Sequence, residues 1–86
     1  MNLTTAEYGV LGRMSRGINV IAEGERQEPR YTFVNYTSPI QPRTFESLIK
    51  KGMVVQVEDT VLPYWQWMYK ISQAGLEAVG QTEVAR

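Results

Sequence analysis

The chain contains no cysteine and no histidine among its 86 residues. Without cysteine there is no disulfide framework, no thiolate metal site and no thiol nucleophile. Without histidine the commonest general base and the commonest metal ligand are missing, so we expect no metal and no other cofactor. The serines and threonines have no imidazole to activate them, and no carboxylates pair at a spacing typical of acid–base chemistry. The sequence therefore predicts a protein that is not an enzyme, with no catalytic residues.

An excess of either charge is also absent, because nine basic side chains balance nine acidic ones. A neutral chain has no overall attraction to nucleic acid, so any affinity for DNA must come from a local patch. No apolar run approaches the roughly 18 residues needed to cross a membrane, and the first residues do not resemble a signal peptide. We therefore expect a cytoplasmic protein with no membrane partner. Its length predicts one small domain over residues 1–80 and a flexible tail over residues 81–86.

The first part of the chain predicts an amphipathic helix over residues 5–16, followed by a β-hairpin over residues 18–36. Thr4 and Glu7 have the spacing of a capping box, and Gly17 is a typical helix stop. In the hairpin, residues 23–29 are polar and predict a loose charged loop between two strands. The apolar face of the helix, at about 100° per residue, comprises Leu3, Val10, Leu11, Met14 and Ile18.

A second helix is predicted from Pro42 to Lys51, after a segment in which Pro39 and Pro42 interrupt regular structure. Apolar residues recur on one side at spacings of three and four, which predicts a buried face. We expect that face to pack on the first helix and on the last strand. Its members are Phe45, Leu48 and Ile49, and their expected partners are Leu11, Met14, Tyr69 and Ile71.

The polar side of this second helix is basic, with Glu46 as its one acidic residue. Arg43 has a planar fork of donors that matches a guanine edge or a phosphate. Lysines near the end of the helix would bind phosphates, and short side chains would let the helix approach the groove floor. The alternative is an ordinary solvated helix face whose lysines complement the helix dipole. The candidate DNA-binding residues are Arg43, Thr44, Ser47, Lys50 and Lys51.

The last part of the chain predicts a second hairpin and a closing helix. Residues 53–58 and 64–71 alternate as paired strands around residues 59–63, and Ser72 caps a helix that ends near Val79. Trp65 and Trp67 share a strand face with Tyr69 and Ile71. Such aromatic faces are enriched at protein interfaces, although two tryptophans also suit the core of a small domain. Trp65, nearer the hairpin tip, is expected to stay exposed, and Trp65 and Trp67 are the candidate partner interface.

Short motifs follow one another in the order helix, hairpin, helix, hairpin and helix. They are Leu3-Thr4, Val10-Leu11 with Met14, Gly17, Arg43-Thr44-Phe45 with Leu48, Lys51-Gly52-Met53-Val54, and Tyr69-Lys70-Ile71-Ser72 with Gly75. Over residues 3–79 this series resembles small winged-helix proteins of bacteria and their phages. The same layout, with its Met-Asn-Leu start, is similar to a bacterial toxin family that inhibits topoisomerase I. The first resemblance implies a winged-helix fold, and the second implies a protein target.

Together these patterns predict an α+β, winged-helix-like single domain in the order α-β-β-α-β-β-α. The leading functional hypothesis is a small DNA-binding regulator of transcription, a possible homodimer, with residues 42–51 in the major groove and residues 54–70 as the wing. The alternative is a protein-binding module, a phage- or toxin-type inhibitor of a host nucleic-acid enzyme that acts through the aromatic hairpin. A continuous positive patch would favour the first hypothesis, and an exposed apolar patch around Trp65 would favour the second.

Overall fold

The computed structural model describes residues 3–34, 36, 39–58 and 61–84. Within these residues the chain forms an α+β fold, as predicted, although the order of its elements is α-β-β-β-α-β-β-α. The additional strand is a short one that begins at Pro39, in a segment where the sequence predicted only irregular structure. The elements are α1 (Thr5–Met14), β1 (Val20–Glu25), β2 (Glu28–Phe33), β3 (Pro39–Ile40), α2 (Pro42–Lys50), β4 (Val54–Val57), β5 (Gln66–Ile71) and α3 (Gln73–Val84).

The strands form one antiparallel five-stranded sheet in the order β3-β2-β1-β5-β4. The two hairpins join because β1 pairs with both β2 and β5, so that Val20 lies opposite Phe33 on one side and Tyr69 on the other. β3 pairs with β2, where Ile40 lies opposite Tyr31 and is buried. Burial of this isoleucine against the sheet explains why a segment rich in turn formers still adds an edge strand.

The predicted loose loop at residues 23–29 is wrong. The β1–β2 ladder continues to the pair formed by Glu25 and Glu28, so that only Arg26 and Gln27 form the turn. Gly24, at φ +101°, takes a conformation that other residues rarely adopt. Arg26 then lies with its guanidinium carbon 4.0 Å from the centre of the Trp67 ring. This cation–π contact holds the turn against β5 and so stabilises the polar turn residues in one conformation.

The core lies between one face of the sheet and the helices α1, α2 and α3. Phe45 and Leu48 of α2 are fully buried, which confirms the predicted phase of this helix, while Ile49 is partly buried beside them. The centre of the Phe45 ring lies 4.6 Å from the centre of the Tyr31 ring and 5.1 Å from that of the Tyr69 ring. The buried face of α1 comprises Val10, Leu11 and Met14, and the partly buried Leu3 and Ile18 pack against the same cluster.

The helix α3 is fixed to the end of α2 through Ser72, the predicted cap. The Ser72 hydroxyl donates a 2.6 Å hydrogen bond to the carbonyl oxygen of Gly52 and accepts one of 3.1 Å from the Gly75 N–H. α3 ends at Val84, beyond the predicted Val79. Residues 81–84 of the predicted flexible tail therefore belong to α3, and residues 85 and 86 lie outside the described residues. In the described part of the chain no helix has the length and apolar character to cross a membrane.

Candidate nucleic-acid and partner interfaces

The helix α2 is held to α1 by an ion pair that the sequence did not predict. The Glu7 side chain is 2 % exposed, and its carboxylate accepts hydrogen bonds of 2.9 and 3.0 Å from the Lys51 ammonium. The same carboxylate accepts a 2.7 Å bond from the Thr4 N–H, while the Glu7 N–H donates to the Thr4 hydroxyl. The capping box of α1 therefore also anchors the end of α2.

The pKa of Glu7 records the balance of these interactions. Burial raises the pKa of the carboxyl group, but hydrogen bonds from the Ser47 hydroxyl, the Thr4 N–H and the Lys51 ammonium, together with the Lys51 charge, outweigh burial and lower it to about 2. Glu7 is therefore ionised at neutral pH. Ser47 and Lys51, two of the five candidate DNA-binding residues, both point to this carboxylate, so they support the helix from its α1 side.

Three charged side chains remain on the open side of α2. Arg43, Glu46 and Lys50 are exposed, and Thr44 is half-buried next to them. Among the described residues, the ion pairs join Lys51 to Glu7 and Arg30 to Glu23, so that Arg43 and Lys50 are not neutralised by a close carboxylate. Arg43 and Lys50 are therefore the two basic residues of the predicted stripe that face solvent, and together they form the outward pair of cations.

Glu46, the acidic residue of this stripe, is exposed like Arg43 and Lys50 and lies one helical turn from each of them. The pKa of Tyr31 is raised to about 12, first by burial of its hydroxyl group, then by the charge of Tyr69 and then by that of Glu46. The charge of Glu46 offsets part of the field of Arg43 and Lys50.

The loop between β4 and β5 carries the two most exposed large hydrophobic side chains of the described residues, Val61 and Tyr64, and the half-exposed Trp65. Val61 is 99 % exposed, Tyr64 is 91 % exposed and Trp65 is 49 % exposed. The rings of Tyr64 and Trp65 meet edge to face at 5.1 Å. The Trp65 carbonyl accepts a 3.0 Å hydrogen bond from the Gly24 N–H, so the backbone is fixed while the rings face solvent. Residues 59 and 60, in the predicted loop, lie outside the described residues.

Trp67, the second candidate interface residue, belongs to the core. It is 5 % exposed, it lies under the Arg26 guanidinium, and its indole N–H donates a 3.2 Å hydrogen bond to the Tyr69 hydroxyl. Trp65 lies just before the first residue of β5, which explains why two tryptophans of the same parity differ so much in exposure. Trp67 lies on the same strand face as Tyr69, as the alternation predicts. The Arg26 side chain that covers its ring, however, comes from a turn distant in sequence.

A third cluster at the end of α1 was not singled out from the sequence. Arg13 and Arg16 line a cavity of about 310 Å³ together with Ile18, Phe33 and Tyr36. The Arg13 guanidinium carbon lies 5.3 Å from the centre of the Phe33 ring, and the Tyr36 ring meets that of Phe33 at 6.4 Å. The available signal was the position of both arginines off the apolar face of α1. The aromatic partners come from β2 and the residues after it, which the helix pattern does not reveal.

In the described part of the chain, no group of three acidic, histidine or cysteine side chains has the proximity needed to hold a metal ion. Comparison with family models, with curated proteins and with solved structures finds no match to this chain.

Proposed function

We propose that this protein is a non-catalytic, cytoplasmic DNA-binding protein that places α2 in the major groove. The observation that carries the proposal is the outward pair of cations, Arg43 and Lys50, on a helix whose other sides are fixed. Phe45 and Leu48 hold α2 to the sheet, and the carboxylate of Glu7 holds it to α1. A helix fixed in this way loses little conformational freedom when it binds.

The contacts follow from the geometry of each side chain. Arg43, in the first turn of α2, matches a guanine edge or a phosphate with two parallel hydrogen bonds. Lys50, two turns further on, contacts a phosphate, and Thr44 is short enough to lie near the groove floor. Ser47 and Lys51 fix the helix and do not reach DNA in this arrangement.

The elements around α2 support a winged-helix assignment. α2 leads into the hairpin formed by β4 and β5, and α3 closes the domain against Gly52 at the end of α2. The hairpin formed by β1 and β2 lies where winged-helix regulators carry a bracing helix, and here Tyr31 of β2 supports Phe45 of α2. In this proposal the hairpin of residues 54–70, which contains β4 and β5, is the wing beside the recognition helix.

Two cations give a small electrostatic contribution for one chain. The logarithm of the binding constant falls with the logarithm of salt concentration by about 0.9 for each phosphate contact, so one chain with both Arg43 and Lys50 on phosphates should show a slope of about −1.8. A homodimer on two half-sites would double that slope. Salt dependence therefore measures both the contact and the number of chains on the DNA.

Fluorescence anisotropy of a labelled random duplex, titrated between low and moderate salt, tests the proposal. We expect Arg43→Ala and Lys50→Ala each to weaken binding. On a random duplex, where both side chains contact phosphates, each substitution should also reduce the magnitude of the salt slope by about one unit. Arg30→Ala is the matched control, because Arg30 is an exposed cation on β2, outside both α2 and the predicted wing. All three variants should melt with the parent. If none of them changes binding, or if the parent shows no retention at low salt, the proposal fails.

A second candidate function is supported by the exposed loop residues Val61, Tyr64 and Trp65. Aromatic side chains in such positions are typical of partner interfaces, where a few of them provide most of the binding free energy. On this hypothesis the protein is a binding module, and the loop contacts a protein partner such as a host nucleic-acid enzyme or a second copy of the chain.

Trp65→Ala should weaken partner capture or dimerisation by at least about 1–2 kcal/mol and leave the fold intact. Sedimentation velocity and retention of lysate proteins on the immobilised chain give the two readouts. Tyr64→Ala tests the same loop, and Tyr8→Ala is its matched control because Tyr8 is an exposed tyrosine on α1. Loss of the fold in Trp65→Ala, with assembly unchanged in the remaining folded molecules, would assign Trp65 to the core instead.

A further inference from the structure

Two cavities adjoin each other where α1 ends, and Tyr36 and Ile18 line both of them. The first is the arginine cavity already described, of about 310 Å³. The second measures about 430 Å³ and lies towards β5. Both volumes are in the range of small-molecule sites. The second cavity is lined by Gly17, Ile18, Asn19, Val34, Tyr36 and Met68.

The first cavity is suited to an anion. None of the described residues that line either cavity is acidic. Arg13 and Arg16 are exposed, and neither forms an ion pair with a described carboxylate. The contact between the Arg13 guanidinium and the Phe33 ring limits the conformations of that side chain before any ligand binds. Two forked donors next to each other match the oxygens of a phosphate.

Tyr36 lies between the two cavities and offers an aromatic surface. Its side chain is 57 % exposed, while the edge-to-face contact with Phe33 supports one side of the ring. The Tyr36 N–H donates a 3.1 Å hydrogen bond to the Phe33 carbonyl, which fixes the backbone at this position. A supported ring with an open face is the kind of surface on which nucleobases stack.

The second cavity contains a polar group suited to the edge of a base. The Asn19 side-chain N–H₂ lies 3.5 Å from the sulfur of Met68, which is a weak acceptor, so the amide can form stronger bonds with a ligand. The backbone carbonyl oxygen of Asn19 accepts a 2.9 Å hydrogen bond from the Val34 N–H, and this bond fixes the backbone of Asn19. An asparagine amide matches the adjacent donor and acceptor of adenine.

We propose that these two cavities form a site for a single nucleotide with an adenine base. The base lies in the second cavity, stacked on Tyr36 with its edge at Asn19, and the phosphate binds Arg13 and Arg16. The nucleotide is free in solution or unpaired in a single strand, because both faces of a base in a duplex are already stacked. The site uses no residue of α2 and does not depend on DNA binding by that helix.

Amide chemical shifts of the ¹⁵N-labelled protein, titrated with adenosine 5′-monophosphate, test the proposal. We expect saturable shifts at Gly17, Asn19 and Tyr36 below about 10 mM nucleotide. Tyr36→Ala should weaken binding about tenfold or more, whereas Tyr36→Phe should retain it because the ring remains. Tyr8→Ala is the matched control on an exposed tyrosine outside the site. Absence of saturable shifts, or equal binding by Tyr36→Ala, would overturn the proposal.

Further ligands separate the parts of the site. Arg16→Gln should weaken adenosine 5′-monophosphate and leave adenosine unaffected, since only the nucleotide carries the phosphate. Phenyl phosphate has a ring and a phosphate but no base edge, so equal binding of phenyl phosphate would contradict recognition by Asn19 and point to a phosphotyrosine-like ligand. Tighter binding of a short single strand of deoxyadenylate than of the free nucleotide would identify a strand as the source. Equal binding would identify the free nucleotide.

Discussion

Replacement of Glu7 by glutamine tests the interaction that fixes α2 to α1. The Glu7 carboxylate is buried, and it accepts bonds from the Lys51 ammonium, the Ser47 hydroxyl and the Thr4 N–H. Glutamine keeps the shape and one acceptor oxygen but removes the charge. The variant therefore separates the electrostatic part of the contact from the packing of the side chain.

The size of the effect follows from the pKa of Glu7. The carboxyl group has a pKa of about 2 in the folded protein against a reference value of 4.5. Each unit of pKa difference corresponds to 1.36 kcal/mol, so ionised Glu7 stabilises the fold by about 3 kcal/mol at neutral pH. That is a large part of the free energy of unfolding of a small domain.

The pH dependence has a definite sign. Since the folded protein holds the Glu7 proton less tightly than the unfolded chain does, this contribution is complete above the unfolded pKa. It is lost as the pH falls from about 4.5 towards 2. Urea unfolding of parent and Glu7→Gln across this window should show a difference of up to about 3 kcal/mol at pH 7 that narrows steadily in acid.

Glu77→Gln is the matched control, because Glu77 is an exposed carboxylate on α3 that hydrogen-bonds to Gln73. It should change stability by no more than about 0.5 kcal/mol. If Glu7→Gln has the same stability as the parent at neutral pH, or a difference that does not depend on pH, the ion pair does not fix α2 as described.

Two other substitutions test the packing around α2 and α3. Leu48→Ala removes a fully buried side chain and should cost about 2–5 kcal/mol in urea unfolding, and a melt equal to the parent's would contradict the helical phase of α2. Gly75→Ala should cost about 1–3 kcal/mol, because a Cβ there would overlap the Met53 carbonyl and lie 2.7 Å from an Ile71 side-chain carbon. Gly80→Ala, in the same helix with open space around it, should instead stabilise by up to about 1 kcal/mol, and equal effects at the two glycines would refute the close approach.

Local signals predicted most of the secondary structure. The capping box of Thr4 and Glu7 located the start of α1, Pro42 located the start of α2, and Ser72 located the start of α3. The spacing of Phe45 and Leu48 gave the buried face of α2. These features depend on residues within a turn or two of one another, which is the range over which periodicity and capping act.

Features that depend on distant residues were not predictable. β3 forms because Ile40 is buried against β2, although its flanking prolines favour a turn. Lys51 has the sequence position of a DNA contact, yet it pairs with a carboxylate 44 residues away. A helical wheel shows only that a lysine lies off the apolar face, and it does not show whether a neighbouring helix supplies a partner.

The candidate sites divide in the same way. Exposure of Trp65 followed from its place near the hairpin tip, whereas burial of Trp67 required the Arg26 side chain from another hairpin. The cluster of Arg13 and Tyr36 required the end of α1 to meet the residues that follow β2. Neither contact leaves a periodic signal in the sequence.

An amide chemical-shift map of the protein with a random DNA duplex tests the central claim most directly. Binding through α2 predicts that the largest shifts fall on residues 43–50 and disappear from the map of Arg43→Ala with Lys50→Ala. Shifts confined to the loop residues 61–65, or no shifts at low salt, would contradict the proposal that this helix binds DNA.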